Sequence, residues 1–289
     1  MGGGAFAGKM TAEMRIGAVN YLNSKPLVYG LAELAPEARI AYDLPSRLAD
    51  SLTAGRLDVA LVPSVEFFRA PGHRIVSDAC VACRGPVLSV KLHFRVPPSD
   101  VRRVALDEGS RTSAALTQIL LAEMCGVRPT RESLPIGDGP ETTGADAVLL
   151  IGDRAIDGGA RIEARAARQY VEVWDLGQKW VEWTGLPFVF AMWIARADAN
   201  VSELAGVLSA ARDQGMRHLD EIAVREAPIV GISEDVSRRY LRDNLHFTIG
   251  AKERAGLRRF YELCVKHELA PRGLEAAIED AGEGRVLRS

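Results

Sequence analysis

Two short stretches of this chain place amide and hydroxyl side chains where strand-like patterning gives way to helix, a combination that suits an anion. The first is Gly17-Ala-Val-Asn-Tyr-Leu-Asn-Ser-Lys-Pro-Leu27. Arg15 to Tyr21 reads as a strand, Asn23-Ser24 breaks it, and Pro26 fits the first turn of a helix running to about Leu34. A strand feeding straight into a helix leaves free backbone N–H groups and a partial positive charge at the strand's carboxyl end. That is an anion site or, equally, a plain turn. The second stretch is Val104-Ala-Leu-Asp-Glu-Gly-Ser-Arg-Thr-Ser-Ala114. Its strand ends at Leu106, Gly109 permits a bend, and a helix starts near Thr112. Ser110, Thr112 and Ser113 set hydroxyls beside the free N–H groups, and Arg111 adds a cationic fork suited to a carboxylate or phosphate. Ordinary capping beside a solvated Arg111 would leave the same pattern. The Gly-Lys-Ser/Thr ending of a P-loop is missing.

Two further stretches carry weaker signals. Ser89, in Arg84-Gly-Pro-Val-Leu-Ser-Val90, sits among apolar residues, where a hydroxyl is usually a satisfied core group. The Gly-Pro before it marks a strand edge at which backbone can approach a ligand. All four tryptophans lie between positions 174 and 193; such a cluster walls a cleft or fills the core of a hinge. No Gly-x-Ser-x-Gly, His-Glu-x-x-His or dinucleotide fingerprint occurs. His73, His93, His218, His246 and His267 are scattered, and only His93 lies near one of these stretches. Any chemistry has to proceed without an obvious histidine base, metal or cofactor.

Composition narrows the classes. A chain of 289 residues, 47% hydrophobic, can bury one large core or two smaller ones. A net charge of −2 with mixed signs offers no basic face to nucleic acid. No apolar run approaches the roughly 20 residues of a membrane helix. Residues 1–14 read as a flexible leader without the apolar stretch of an export signal, so the cytoplasm is the expected compartment. Cys80 and Cys83 form a Cys-x-x-Cys inside the strand-like run Val76 to Val90. With no second pair at zinc-ligand spacing, they read as buried structural thiols.

The elements that must position these residues alternate between strand and helix, the mark of an α/β chain. Ala38 to Leu44 and Leu57 to Ser64 read as strands, with a helix capped by Ser46 and stopped by Gly55 between them. An Asp before a buried strand recurs at Asp58 and at Asp146, which suggests two lobes built on one plan. Pro97-Pro98-Ser99-Asp100 reads as the crossing into the second lobe, and Ala195 to Asn200 as the return. The last third is helical, with caps at Asn200 and Ser233 and a stop at Gly273. The expected lobes are 15–97 plus 198–289, and 98–197, with a ligand cleft between them.

Six stretches, in order, resemble one family: "GAVNYLNSKPL", "LDVALVPSVE", "GPVLSV", "VALDEGSRTS", "LLIGD" and "DLGQKWVEWTGLPFVFAMW". They are similar to the chorismate dehydratases of the futalosine route to menaquinone, and span roughly Ile16 to Trp193. The resemblance implies an α/β, two-lobed type II periplasmic-binding-protein-like fold with two inter-lobe crossovers. It implies a lyase that removes water from chorismate to give 3-[(1-carboxyvinyl)oxy]benzoate, with no cofactor or metal. Chorismate is then the partner, with no nucleic acid and no membrane. Its two carboxylates match the two polar helix starts. One possibility the family implies is that the substrate's enolpyruvyl carboxylate takes the proton while Asn23 and Ser89 hold it. Asp153 faces the ring or merely caps a turn. Tyr21, Ser24, Ser64, Ser110, Arg111, Thr112 and Ser113 complete the expected binding set. Two other readings compete: a non-catalytic solute-binding protein for a small carboxylate, and the sister enzyme of the same pathway. For the sister enzyme a cleft histidine and a different opening motif are expected.

Overall fold

The structure is a computed structural model and describes residues 14–69, 72–156 and 170–274. Apart from Met14, the expected leader lies outside the described residues. The chain forms two mixed sheets, one of six strands in the order β11-β4-β10-β3-β1-β2 and one of five in the order β7-β6-β8-β5-β9. The six-stranded sheet takes β1 (Arg15–Val19), β2 (Arg39–Asp43), β3 (Val59–Pro63), β4 (Arg74–Cys83), β10 (Phe188–Ala195) and β11 (His246–Thr248). The five-stranded sheet takes β5 (Val90–Phe94), β6 (Arg103–Asp107), β7 (Thr130–Leu134), β8 (Ala147–Ile151) and β9 (Glu172–Asp175). The central strands β3 and β8 are buried along their whole length, as their unbroken apolar runs require. One apolar cluster runs from Ile16 through Trp180 to Leu116 and Leu149, so the lobes share a core behind the cleft.

The recurring Asp has the same task in both lobes. Asp58, ahead of β3, accepts from the backbone N–H of Arg15 at 2.9 Å, at the start of the parallel strand β1. Asp146, ahead of β8, accepts from the N–H groups of Arg102 and Arg103, each at 2.9 Å, at the start of the parallel strand β6. Each satisfies strand-end donors that the ladder leaves over.

Both crossings fall earlier in the chain than the turn signals suggested. β5 belongs to the five-stranded sheet and β10 to the six-stranded one. The chain therefore changes sheet at residues 84–89 and again between Asp175 and Phe188. Pro98–Asp100 is a 3-10 turn within the second lobe, and Ala195 ends a strand of the first. The run Val76 to Val90 looked like one strand because both ends are apolar; Gly85-Pro86 breaks it. Asp175 holds this break in place. Its carboxylate accepts from the N–H groups of Val87 and Leu88, at 2.9 and 2.6 Å, and also caps the helix Leu176–Thr184 by accepting from Gln178 N. Leu88 is held at φ 65, a left-handed conformation unusual for leucine,.

The helices carry further corrections. The opening turn is a 3-10 helix, Leu22–Val28, with Tyr21 at the N-cap position; Asn23 and Ser24 lie inside its first turn rather than capping it. A separate short helix, α1 (Leu31–Leu34), follows. The helix α2 (Pro45–Thr53) starts on Pro45 with Leu44 at the cap, so Ser46 is already inside. Further on come α3 (Ser64–Arg69), α4 (Arg111–Cys125), α5 (Leu176–Thr184) and α6 (Leu204–Arg217). Glu203, not Asn200, stands at the α6 cap. The end of the chain holds α7 (Leu219–Val230), α8 (Glu234–Arg239) and α9 (Ala251–Lys266). Ser233 does cap α8, accepting from Val236 N. Trp180 is wholly buried and packs on Phe188 and Phe260 at 5.1 and 6.1 Å between ring centroids. The tryptophans are core rather than cleft wall. Among the described residues no helix is long and apolar enough to cross a membrane.

Because Asp175 satisfies three backbone donors at once, Asp175→Ala should cost about 2–4 kcal/mol. Urea unfolding should show a lowered midpoint at unchanged slope; an unchanged midpoint would mean that the crossing holds itself.

Candidate active site

The carboxyl ends of β1, β3 and β8 and the amino end of α4 converge on the space between the lobes, where open α/β folds bind ligands. The cleft there holds about 500 Å³ of non-protein space, its open mouth included. Tyr21, Asn23 and Ser24 enter from the first lobe, and Ser89, Ser110 and Ser113 from the crossing and the second. Val81, Val87, Ile151 and Phe190 supply apolar wall. No charged side chain is among the described lining residues.

Each polar group is held from behind. Ser24 Oγ donates to Asn23 Oδ1 at 2.9 Å, which leaves the amide N–H₂ as the end free to donate. Ser110 caps α4, accepting from Ser113 N at 3.2 Å, and the two hydroxyls lie 3.0 Å apart. With fifteen residues behind it, α4 brings free N–H groups and a partial positive charge to the cleft,. The Ser89 carbonyl accepts from Gly152 N at 2.9 Å, which joins the first crossing to the turn after β8. Gly152 has φ 68, and a Cβ there would stand 3.2 Å from the Tyr21 ring. Only glycine permits both the turn and the close approach.

Asp153 follows Gly152 but does not itself line the cleft. Its Oδ1 accepts from Leu22 N at 3.0 Å, tying the second lobe to the first turn of the 3-10 helix. This contact is a turn-capping one. Burial pushes its carboxyl up to about 6, against the lowering effects of the Leu22 N–H and of Lys25. His93 is a core histidine: burial pushes it down to about 4, and its ring centroid lies 5.0 Å from that of Tyr170. Cys83 is buried with its thiol pushed up to about 12.

Three expected binding residues lie elsewhere. Arg111 pairs with both oxygens of Asp50 at 2.8 and 2.9 Å and with Glu66 at 3.3 Å. Its charge is thus taken up in clamping α4 to α2 and α3. Thr112 Oγ1 accepts from Val65 N at 3.1 Å, and Ser64 Oγ donates to the Val189 carbonyl at 2.7 Å. The two hydroxyls sit 3.3 Å apart in the buried seam between lobes. Reading along the chain could not separate these side chains from Ser110 and Ser113, because a helix turns neighbouring residues to different faces.

The profile of the family described as menaquinone biosynthesis matches residues 14–266. The chain belongs to that family. Within it, the chain is 33% identical over 259 residues to the chorismate dehydratase of Thermus thermophilus, covering 86% of this chain and 93% of the relative. Among solved structures it is similar to protein AF1704 from Archaeoglobus fulgidus, with a TM-score of 0.72 at 14% identity, covering 90% of this chain and all of the other. It also superposes on the periplasmic aliphatic sulphonate binding protein SsuA from Escherichia coli. There the TM-score is 0.60 at 16% identity, with 92% of this chain and 91% of that one covered. The chain thus has a periplasmic-binding-protein-like fold, and its cleft lies between the two lobes.

The raised carboxyl of Asp153 has a stability consequence. A carboxyl whose folded value lies above its unfolded one stabilises fully below about pH 4, and that contribution is lost as the pH rises through about 6. Asp153→Asn keeps an acceptor for Leu22 N without the buried charge. It should therefore unfold on the order of 2 kcal/mol less readily than the wild type at pH 7.5, and show almost no difference at pH 4. A difference that does not vary with pH would contradict this account.

Proposed function

We propose that this chain is a chorismate dehydratase, a carbon–oxygen lyase that converts chorismate to 3-[(1-carboxyvinyl)oxy]benzoate and water. The observation that carries the reading is the uncharged, donor-rich cleft of Asn23, Ser89, Ser110 and Ser113 in a chain of the menaquinone-biosynthesis family. A substrate with two carboxylates finds two places to set them. One is the amino end of α4 with its two serines; the other is the Asn23 amide beside Ser89.

Dehydration breaks a ring C–H and a ring C–O bond, and the C–H electron pair becomes the ring double bond that completes aromaticity. The aromatic product supplies much of the driving force, which leaves the protein to position groups and place charge. In our reading the enolpyruvyl carboxylate, held by Asn23 and Ser89, takes the ring proton. The departing hydroxide leaves as water by gaining a proton from an acid of the site, and the enolpyruvyl carboxylic acid then returns its proton to that acid, so both groups end as they began. Asp153, anchored on Leu22 N and carrying a raised carboxyl, stands at the edge of the site as a candidate proton donor to that hydroxide. We place the reaction in the cytoplasm, where four unpaired cysteines are at home.

Mixing the purified protein with chorismate and following the loss of diene absorbance tests the proposal. Conversion supports it; binding without conversion would make the chain a solute-binding protein. Asn23→Asp sharpens the test. Asp is favourable in a helix's first turn, so the variant should melt close to the wild type. It sets a second negative charge beside the substrate carboxylate, a repulsion of about 1–4 kcal/mol at about 4 Å, and loses the donor. Turnover should fall at least a hundredfold. Turnover near the wild-type rate would remove Asn23 from the site.

A further inference from the structure

Tyr240 opens a single π-helical turn, Tyr240–Asn244, directly after α8 in the first lobe. Single π-helical turns are frequent at functional sites. Its side chain is wholly buried, yet its hydroxyl has no hydrogen-bond partner among the described residues. A buried hydroxyl left without a partner is costly, and native structures rarely keep one without a use. The packing alone would be met by phenylalanine.

The surroundings of that hydroxyl point to its use. It lies beside the side chains of Ser89 and Asn23 without completing a hydrogen bond to either. Asn244, at the far end of the same turn, donates to the Pro86 carbonyl at 2.9 Å. The turn that carries Tyr240 is thereby fastened to the crossing that carries Ser89. Burial, with the negative charges of Asp153 and Asp175 adding to it, keeps the phenol protonated, so the group can only donate or wait for an acceptor. Asn23 Oδ1 already receives the Ser24 hydroxyl, and the phenol makes no bond to it. The hydroxyl thus stands behind the part of the cleft wall formed by Asn23 and Ser89, bonded to neither.

We propose that Tyr240 is the third hydrogen-bond donor to the substrate carboxylate that Asn23 and Ser89 hold. This rests on the dehydratase reading and deepens it: the socket for the enolpyruvyl carboxylate is built from three neutral donors contributed by three separated parts of the chain. Donors from three directions fix the rotation of the carboxylate as well as its position. A base that is itself part of the substrate needs that constraint to face the ring proton.

Tyr240→Phe removes the hydroxyl and keeps the ring, so the variant should melt at or above the wild-type temperature. Its affinity for the product, 3-[(1-carboxyvinyl)oxy]benzoate, should fall about 10- to 100-fold. Its affinity for 3-ethoxybenzoate, which lacks the enolpyruvyl carboxylate, should stay within about twofold, and kcat/KM for chorismate should fall at least as far as product affinity. Unchanged product affinity would overturn the proposal, and so would an equal loss for both ligands. A readout on the wild type stands apart from any folding defect of the variant. Adding product should bring a slowly exchanging hydroxyl proton downfield in the proton NMR spectrum, and adding 3-ethoxybenzoate should not; no downfield proton with product counts against Tyr240. If the wild type itself fails to convert chorismate, the dehydratase reading falls. If it converts chorismate and Tyr240→Phe behaves identically, only the role of Tyr240 falls.

Discussion

One carboxylate, that of Asp175, ties together the two places where the chain passes between its sheets. It accepts from Val87 and Leu88 on the outgoing crossing and from Gln178 at the start of the returning one. Hydrogen bonds to an ionised acceptor are among the stronger ones, enough to offset a leucine held at φ 65, which costs on the order of 1–3 kcal/mol,. The consequence travels outward. With Leu88 fixed, Ser89 is aimed at the cleft and its carbonyl receives Gly152 N. Gly152 carries the chain into Asp153, which holds Leu22 N and with it the turn that presents Asn23. Residues more than a hundred positions apart meet because each contact fixes the next.

The cleft so formed is donor-rich but uncharged, and that bears on the proposed chemistry. A cation within about 4–6 Å lowers a carboxylate's pKa by about 1–3 units. A guanidinium beside the reacting carboxylate would bind it well and weaken it as a base. Neutral amides, hydroxyls and helix ends orient the same group with less loss of basicity. The engagement of Arg111 with Asp50 and Glu66 is then consistent with the reaction: the cation that follows Ser110 in the chain spends its charge on holding the lobes together.

Much of this was legible in the sequence, and the rest was hidden for physical reasons. The strand-to-turn breaks at Asn23 and Ser110 were visible because apolar runs end there on polar residues. The duplicated Asp ahead of β3 and β8 proved to be one device used twice, against the strand starts at Arg15 and Arg102-Arg103. The direction in which neighbouring side chains face was not visible. Ser110 and Ser113 line the cleft while Arg111 and Thr112, between them, bind the opposite lobe. The crossings were misplaced because Pro97-Pro98 is a louder turn signal than Gly85-Pro86, although only the latter separates two sheets. Tyr240 carries no local signal at all. It reaches the site from the helical last third, which has no distinctive motif, and only the folded chain sets it beside Ser89 and Asn23.

The central claim is that neutral donors of the inter-lobe cleft, and not a paired arginine, receive the substrate's carboxylates. A crystal structure of the wild-type protein with 3-[(1-carboxyvinyl)oxy]benzoate bound tests it most directly. The account predicts the enolpyruvyl carboxylate about 3 Å from the Asn23 amide and the Ser89 hydroxyl, with the ring carboxylate at Ser110 and Ser113 and the Arg111–Asp50 pair intact. A carboxylate seated on Arg111, with Asp50 displaced and Asn23 left without a ligand, would contradict it.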